Sequence, residues 1–218
     1  MNENIGIILE GGIGSRMQMA QPKQYLCLNQ KEVIAYSIDV FKKTSSLDEF
    51  IVVSNDDANQ RERISNKYGV DTIIGGTTRN ASFRNALDHI EKNFPKCQKI
   101  FVNEAARPMI TSQIIDDYIC LLDNYDYVYS SAPITDSLET ISGEYVDRLK
   151  YRLVRSPEAY KFHQINVYFS KNSNTTFPGH VLPQSAKGYP YTAYKNNFKL
   201  TYQEDIALLE GLLIKYSK

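Results

Sequence analysis

A chain of 218 residues with 42% hydrophobic content is long enough to bury a sizeable core, which suits one α/β domain spanning 1–218. Lysine plus arginine equals aspartate plus glutamate at 25 each, so net charge gives no reason to expect nonspecific binding to nucleic acid or to a membrane surface, and any anion site must be local. Cys27, Cys97 and Cys120 are too scattered for a zinc site or a disulfide scaffold, no apolar run reaches membrane-spanning length, and the opening Met1-Asn2-Glu3-Asn4 lacks an export pattern, so a reducing cytoplasm is the expected setting.

The first apolar run, residues 5–9, has strand character and stops at Glu10-Gly11-Gly12-Ile13-Gly14-Ser15-Arg16-Met17, followed by Pro22-Lys23-Gln24-Tyr25. Three glycines in four positions let a backbone pass close to a polyanion, and Arg16 and Lys23 add cations, so the segment reads as a triphosphate-binding loop; an ordinary strand-to-helix turn is the alternative. A P-loop is excluded because the Gly-Lys-Ser/Thr ending is absent, and a dinucleotide fingerprint because Met17 stands where its third glycine belongs. Ile34, Ile38 and Phe41 recur at helical spacing, and strands are predicted over 50–54 and 72–74. Gly75-Gly76-Thr77-Thr78-Arg79-Asn80-Ala81-Ser82 then leads into a helix marked by Phe83, Leu87 and Ile90, with Asn80 as the expected cap. A strand over 100–103 delivers Glu104 and Arg107, a helix carries Ile114, Tyr118, Leu121 and Leu122, and a further strand covers 127–132. Alternating strands and helices predict a twisted, mainly parallel sheet with ligands at the carboxyl ends of its strands.

From Leu138 to Val154 the pattern changes to a hairpin that turns at Ser142-Gly143-Glu144. Within 137–157 it is expected to protrude as a β-arm that packs on a second subunit, since a lone ribbon is marginal; folding back on its own sheet is the alternative. Residues 170–190 read as a long irregular connection, and residues 202–216 as a final amphipathic helix through Ile206, Leu209, Leu213 and Ile214.

Magnesium is held by one or two carboxylates plus substrate phosphates, which makes Glu104 the best single metal-ligand candidate; an ion pair with Arg107 is its alternative. Arg79 faces the sheet rim, while Gly76 and Ser82 stand where backbone groups could read a pyrimidine edge; on that segment alone a capped helix with a surface arginine is the preferred reading. A solvated surface lysine is the bland reading of Lys23. His89, His163 and His180 are scattered without ligand spacing.

Taken together, these segments resemble the cytidylyltransferases that act on polyol phosphates, a family that includes the 2-C-methyl-D-erythritol 4-phosphate and ribitol 5-phosphate enzymes. The resemblance runs through Gly14-Ser15-Arg16-Met17, Pro22-Lys23-Gln24, Arg79-Asn80-Ala81-Ser82-Phe83-Arg84-Asn85-Ala86-Leu87, Asn103-Glu104-Ala105-Ala106-Arg107-Pro108, Pro133-Ile134-Thr135-Asp136-Ser137, Ser156-Pro157-Glu158 and Asn197-Phe198-Lys199-Leu200-Thr201. It implies a Rossmann-like α/β homodimer that uses CTP, magnesium and a polyol phosphate. By resemblance, Arg16, Lys23 and Lys199 are catalytic. Leu9, Glu10, Gly11, Gly12, Gly14, Gly76, Arg79, Ser82 and Ala105 line the nucleotide site, Ser137, Arg148 and Lys199 hold the acceptor, and Glu104 meets the metal. The chain departs from the family pattern at Glu10 (alanine), Asn103 (histidine) and Glu104 (aspartate). The acidic acceptor segment has no counterpart, its nearest stretch being Val181-Leu182-Pro183-Gln184-Ser185. Together with the Gly11-Gly12 pair this favours a ribitol 5-phosphate-type acceptor; the methylerythritol acceptor and a nucleotide-binding module without turnover are the alternatives.

Overall fold

The computed structural model describes residues 3–10, 17, 21–55 and 57–216. In chain order it contains β1 (Glu3–Leu9), β2 (Cys27–Leu28), β3 (Lys31–Glu32), α1 (Val33–Lys43), β4 (Glu49–Ser54), α2 (Ala58–Tyr68), β5 (Asp71–Ile74), α3 (Arg79–Asn93), β6 (Cys97–Glu104) and α4 (Ser112–Leu121). The second half adds β7 (Tyr127–Pro133), β8 (Leu138–Glu139), β9 (Tyr145–Val146), β10 (Arg152–Lys161), α5 (Phe162–Tyr168), β11 (Gly188–Tyr191) and α6 (Asp205–Tyr216). Seven strands form the main sheet in the order β11-β7-β10-β6-β1-β4-β5. All neighbours run parallel except β10, which is antiparallel to both β6 and β7. The predicted mainly parallel sheet is therefore present. Among the described residues no helix is long and apolar enough to cross a membrane.

β1 lies between two parallel neighbours, which explains why Ile5, Ile7 and Ile8 are all buried although they point to opposite faces. Ile8 joins Ile34, Ile38 and Phe41 under α1 and α4, whereas Ile5, Ile7 and Leu9 join Phe83, Leu87 and Ile90 under α3 and α5. Gly6 has no room for a side chain: an added Cβ would sit 2.8 Å from the Phe41 ring and 2.9 Å from Phe50 Cβ. A third cluster, in which Leu209 and Leu213 of α6 meet Met17, Leu28, Val33, Met109 and Leu200, ties the last helix to the start of the chain.

Several expectations need correction. The second hairpin strand ends after Tyr145–Val146, which pairs with Leu138–Glu139; a 3-10 turn at Arg148–Lys150 follows, and Arg152 onward belongs to the central sheet. Asn80 does not cap α3. Thr78 does, accepting from the Ala81 amide at 3.0 Å, while Asn80 Nδ2 donates to the carbonyls of Ser173 and Thr175. The connection 170–190 is not wholly irregular, since it holds a 3-10 turn at Pro178–Val181 and the start of β11. α2 and α5 were not anticipated: α2 buries only Ile64, so its apolar periodicity is weak, and α5 spans only seven residues.

Phe41 packs edge-on against Phe50 and Phe101, with ring centroids 5.6 and 5.8 Å away. Phe41→Ala is expected to cost about 3–5 kcal/mol of stability, read as a lower urea midpoint at unchanged slope.

Candidate active site

The polar residues of interest gather where β1, β5 and β6 end. Side chains alternate along β6, so Val102 and Glu104 face the α3 side while Asn103 faces α1. There Asn103 Nδ2 donates to Ser37 Oγ at 3.1 Å, which occupies it on the face away from Glu104. Glu10 also points to the α1 side: its Oε2 accepts from Gln24 Nε2 at 3.0 Å and from the Tyr25 hydroxyl at 2.7 Å. Its Oε1 is buried without a partner among the described residues. Burial, then the Glu10 charge, pushes the Tyr25 phenol well above its usual range. Glu10 thus clamps the 3-10 turn Lys23–Tyr25 to the end of β1.

Glu104 is the centre of the site. Its Oε2 meets Lys199 Nζ at 2.6 Å and Arg107 Nε at 3.2 Å, and its Oε1 lies 3.4 Å from Arg79 Nε. Burial acts to raise the carboxyl, but Lys199, Arg107 and Arg79 together outweigh it and hold the group at about 2 instead of 4.5. The Glu104–Arg107 ion pair expected as the alternative is therefore present, and among the described residues it is one of three. Arg79 is anchored from the other side by buried Glu158, whose Oε1 lies 2.6 Å from Arg79 Nη2 and whose Oε2 accepts from the Tyr160 hydroxyl at 2.7 Å. Burial pushes the Glu158 carboxyl up even against the opposing Arg79 charge.

The segment 197–201 closes the arrangement. Asn197 accepts from Arg107 Nη1 at its carbonyl (3.2 Å) and at Oδ1 (2.9 Å), and its own Nδ2 donates to the Ser156 carbonyl at 2.8 Å. Lys23 Nζ donates to the Leu200 carbonyl at 2.8 Å, so this lysine is fixed and mostly buried rather than solvated. Ala105 N donates to the Leu9 carbonyl at 2.9 Å, continuing the β1–β6 ladder past Glu104. At the end of β5, Ser82 Oγ accepts from the Gly76 amide at 3.0 Å and lies 3.3 Å from the Gly76 carbonyl. A Cβ on Gly76 would lie 2.3 Å from Ala81 Cβ, so glycine is required by this close approach.

Of the residues singled out in the sequence, Lys23, Arg79, Glu104 and Lys199 converge, joined by Arg107. Ser137 is exposed beside the hairpin, and Arg148 donates to the Thr135 carbonyl within the same segment. Gly11, Gly12, Gly14 and Arg16 lie outside the described residues. Glu158 and Asn197 were quoted within motifs but given no role; their partners lie 79 and 90 residues away, beyond any local pattern. Among the described residues no cluster of three or more histidine, cysteine or acidic side chains could hold a metal. Glu104 fits magnesium only as a single carboxylate supplementing substrate phosphates, because three cations already occupy it.

Because the folded-state value of about 2 lies below the ordinary 4.5, these ion pairs add stability above about pH 4.5 and lose it as pH falls toward 2. The shift corresponds to about 3 kcal/mol. Glu104→Gln is expected to lower the melting temperature at neutral pH, with the gap from wild type closing across that acid window in thermal melts.

The 2-C-methyl-D-erythritol 4-phosphate cytidylyltransferase (IspD) family model matches residues 5–215. A ribitol-5-phosphate cytidylyltransferase of Lacticaseibacillus paracasei is 26% identical, over 95% of this chain and 96% of that protein. The bifunctional ribulose 5-phosphate reductase/CDP-ribitol pyrophosphorylase Bcs1 of Haemophilus influenzae is 27% identical over 97% of this chain, which spans about half (48%) of that longer protein. The crystal structure of 4-diphosphocytidyl-2C-methyl-D-erythritol synthase from Anaerococcus prevotii superposes with a TM-score of 0.81 at 20% identity, covering 98% of this chain and 96% of the other, which shows a shared fold. With the family model spanning nearly the whole chain and the cations gathered at the carboxyl rim of its sheet, this protein belongs to the 2-C-methyl-D-erythritol 4-phosphate cytidylyltransferase family of nucleotidyltransferases.

Proposed function

We propose that this cytidylyltransferase moves CMP from CTP to a polyol phosphate, with a ribitol 5-phosphate-type acceptor for surface glycopolymer synthesis preferred over 2-C-methyl-D-erythritol 4-phosphate. The observation that carries the reading is the convergence of Arg79, Arg107 and Lys199 on Glu104, with Lys23 fixed one residue from Lys199. A phosphate oxygen of the acceptor attacks the α-phosphorus of CTP, the bond from that phosphorus to the bridging oxygen of the β-phosphate breaks, and pyrophosphate leaves. Such transfers need positioning and charge neutralisation more than a nucleophilic side chain. Lys23 and Arg16 serve the triphosphate. The first-loop positions Leu9, Gly11, Gly12 and Gly14, with Gly76, Arg79, Ser82 and Ala105, line the nucleotide, whereas the Glu10 side chain turns away to the α1 side; Lys199, Ser137 and Arg148 serve the acceptor. Glu104 would be the carboxylate that holds a magnesium ion, which when bound would add to the neutralisation of the phosphates.

One observation favours the ribitol-type acceptor. The near full-length relatives include proteins named for either acceptor and do not separate them, but residues 181–185 contain no acid to bond acceptor hydroxyls, and Val181 and Leu182 pack instead against the α3-side core. We keep a reducing cytoplasm as the proposed setting, on the scattered spacing of Cys27, Cys97 and Cys120. Pyrophosphate release with CTP and magnesium is expected with ribitol 5-phosphate and at least tenfold more weakly with 2-C-methyl-D-erythritol 4-phosphate. The reverse preference would assign the methylerythritol acceptor, and CTP binding with no release from either would return the reading to a binding module.

A homodimer joined through the arm is part of the proposal, supported by exposed apolar side chains there: Tyr145 is 87% and Leu149 88% exposed, and Ile141 is fully so. The protein is expected to sediment as a dimer, and the double variant Tyr145→Ser, Leu149→Ser as a monomer; two dimeric species would place the contact elsewhere.

A further inference from the structure

Arg155 lies on β10 opposite Ser130, immediately before the bulge that separates it from Glu158. Since β10 runs antiparallel to β6, its first residues stand at the same rim as the carboxyl end of β6. The Arg155 side chain is partly buried, and among the described residues it has neither a carboxylate within ion-pair distance nor a hydrogen-bond partner. The charged neighbour that acts on it is another guanidinium: burial first, then Arg107, holds Arg155 below the usual arginine range.

The approach of the two arginines is built into the backbone. Asn197 holds Arg107 through two acceptors and donates to the carbonyl of Ser156, the residue after Arg155, so one buried side chain braces both segments. Glu104 compensates Arg107 but does not reach Arg155 within ion-pair distance. Among the described residues Ser156 Oγ and the Tyr194 hydroxyl are buried without partners, and the Tyr194 phenol lies within the field of Arg107. Like charges held close in a partly buried place cost Coulomb energy, which an anion between them would reverse. Guanidinium groups match the oxygens of a phosphate two at a time.

We propose that Arg155 and Arg107 form a two-guanidinium seat for the phosphate monoester of the acceptor, beside Lys199. The seat rests on the cytidylyltransferase reading for the identity of its occupant but not for its affinity for phosphate. Arg155 then helps determine which acceptor the enzyme takes, because it fixes where the phosphate end of the molecule lies.

The test uses the whole protein with Arg155→Gln and Arg155→Lys. Millimolar inorganic phosphate should raise the melting temperature of wild type, with the shift lost in Arg155→Gln and partly kept in Arg155→Lys, whose single ammonium retains the charge. In turnover, the acceptor KM should rise about tenfold or more in Arg155→Gln while the KM for CTP stays within about twofold. Equal phosphate stabilisation of wild type and Arg155→Gln would overturn the seat, as would KM values for CTP and acceptor that rise in step, which would point to the triphosphate or its product as the anion. Phosphate stabilisation confined to wild type and Arg155→Lys, with no turnover on any acceptor, would uphold the seat and remove the proposed acceptor instead. Should Arg155→Gln not fold, a phosphate shift in folded Arg155→Lys smaller than that of wild type upholds the seat, and an undiminished shift there overturns it.

Discussion

Three cations stand around one carboxylate at the rim of this sheet, and without Glu104 they would repel one another in a place that water reaches poorly. That carboxylate brings together residues from four parts of the chain: Arg79 opens α3, Glu104 closes β6, Arg107 follows it in the next loop, and Lys199 precedes α6. A second carboxylate, Glu158 on β10, holds Arg79 from the far side. The cations are consequently oriented before any ligand arrives. Preorganised charge stabilises a transition state better than charge that must first be gathered.

The alternation of side chains along the strands separates two kinds of departure from the family pattern. Glu10 and Asn103 look striking as letters, yet both face α1, where Glu10 secures Gln24 and Tyr25 and Asn103 bonds to Ser37. They support the scaffold that carries Lys23. Glu104 faces α3 and the cations, so lengthening the side chain by one methylene relative to aspartate moves a charge inside the site itself. Residues adjacent in sequence thus differ in consequence because a strand turns each one to the opposite side.

The fold was legible wherever apolar residues kept one period. Ile5, Ile7 and Ile8 marked a strand buried on both faces, and Phe83, Leu87 and Ile90 marked the inward stripe of α3. β10 was not legible, because Arg155, Pro157 and Glu158 break a strand pattern for reasons that belong to the site: a bulge, an anchored arginine and a charged rim. α2 escaped because a helix that buries only Ile64 has almost no stripe. Within the site, Glu104 and Lys199 could be singled out from their motifs. The bonds from Glu158 to Arg79 and from Asn197 to Arg107 could not, since each depends on how β10 and the 197–201 segment return to the rim.

The place of β10 in the sheet has a consequence for how the chain is made. β10 lies between β6 and β7, yet it is synthesised after both. A nascent chain that has finished β7 therefore cannot dock that strand in its final position; the edge of β6, with Phe101 and Val102, stays unpaired until residues 158–161 emerge to cover it. An apolar strand edge left open is a template for pairing with another chain, and late long-range closure is slow. Folding during translation should thus pass through an interval in which association with another copy competes with completion of the sheet, and anything that shortens the delay between β7 and β10 should raise the yield of soluble protein.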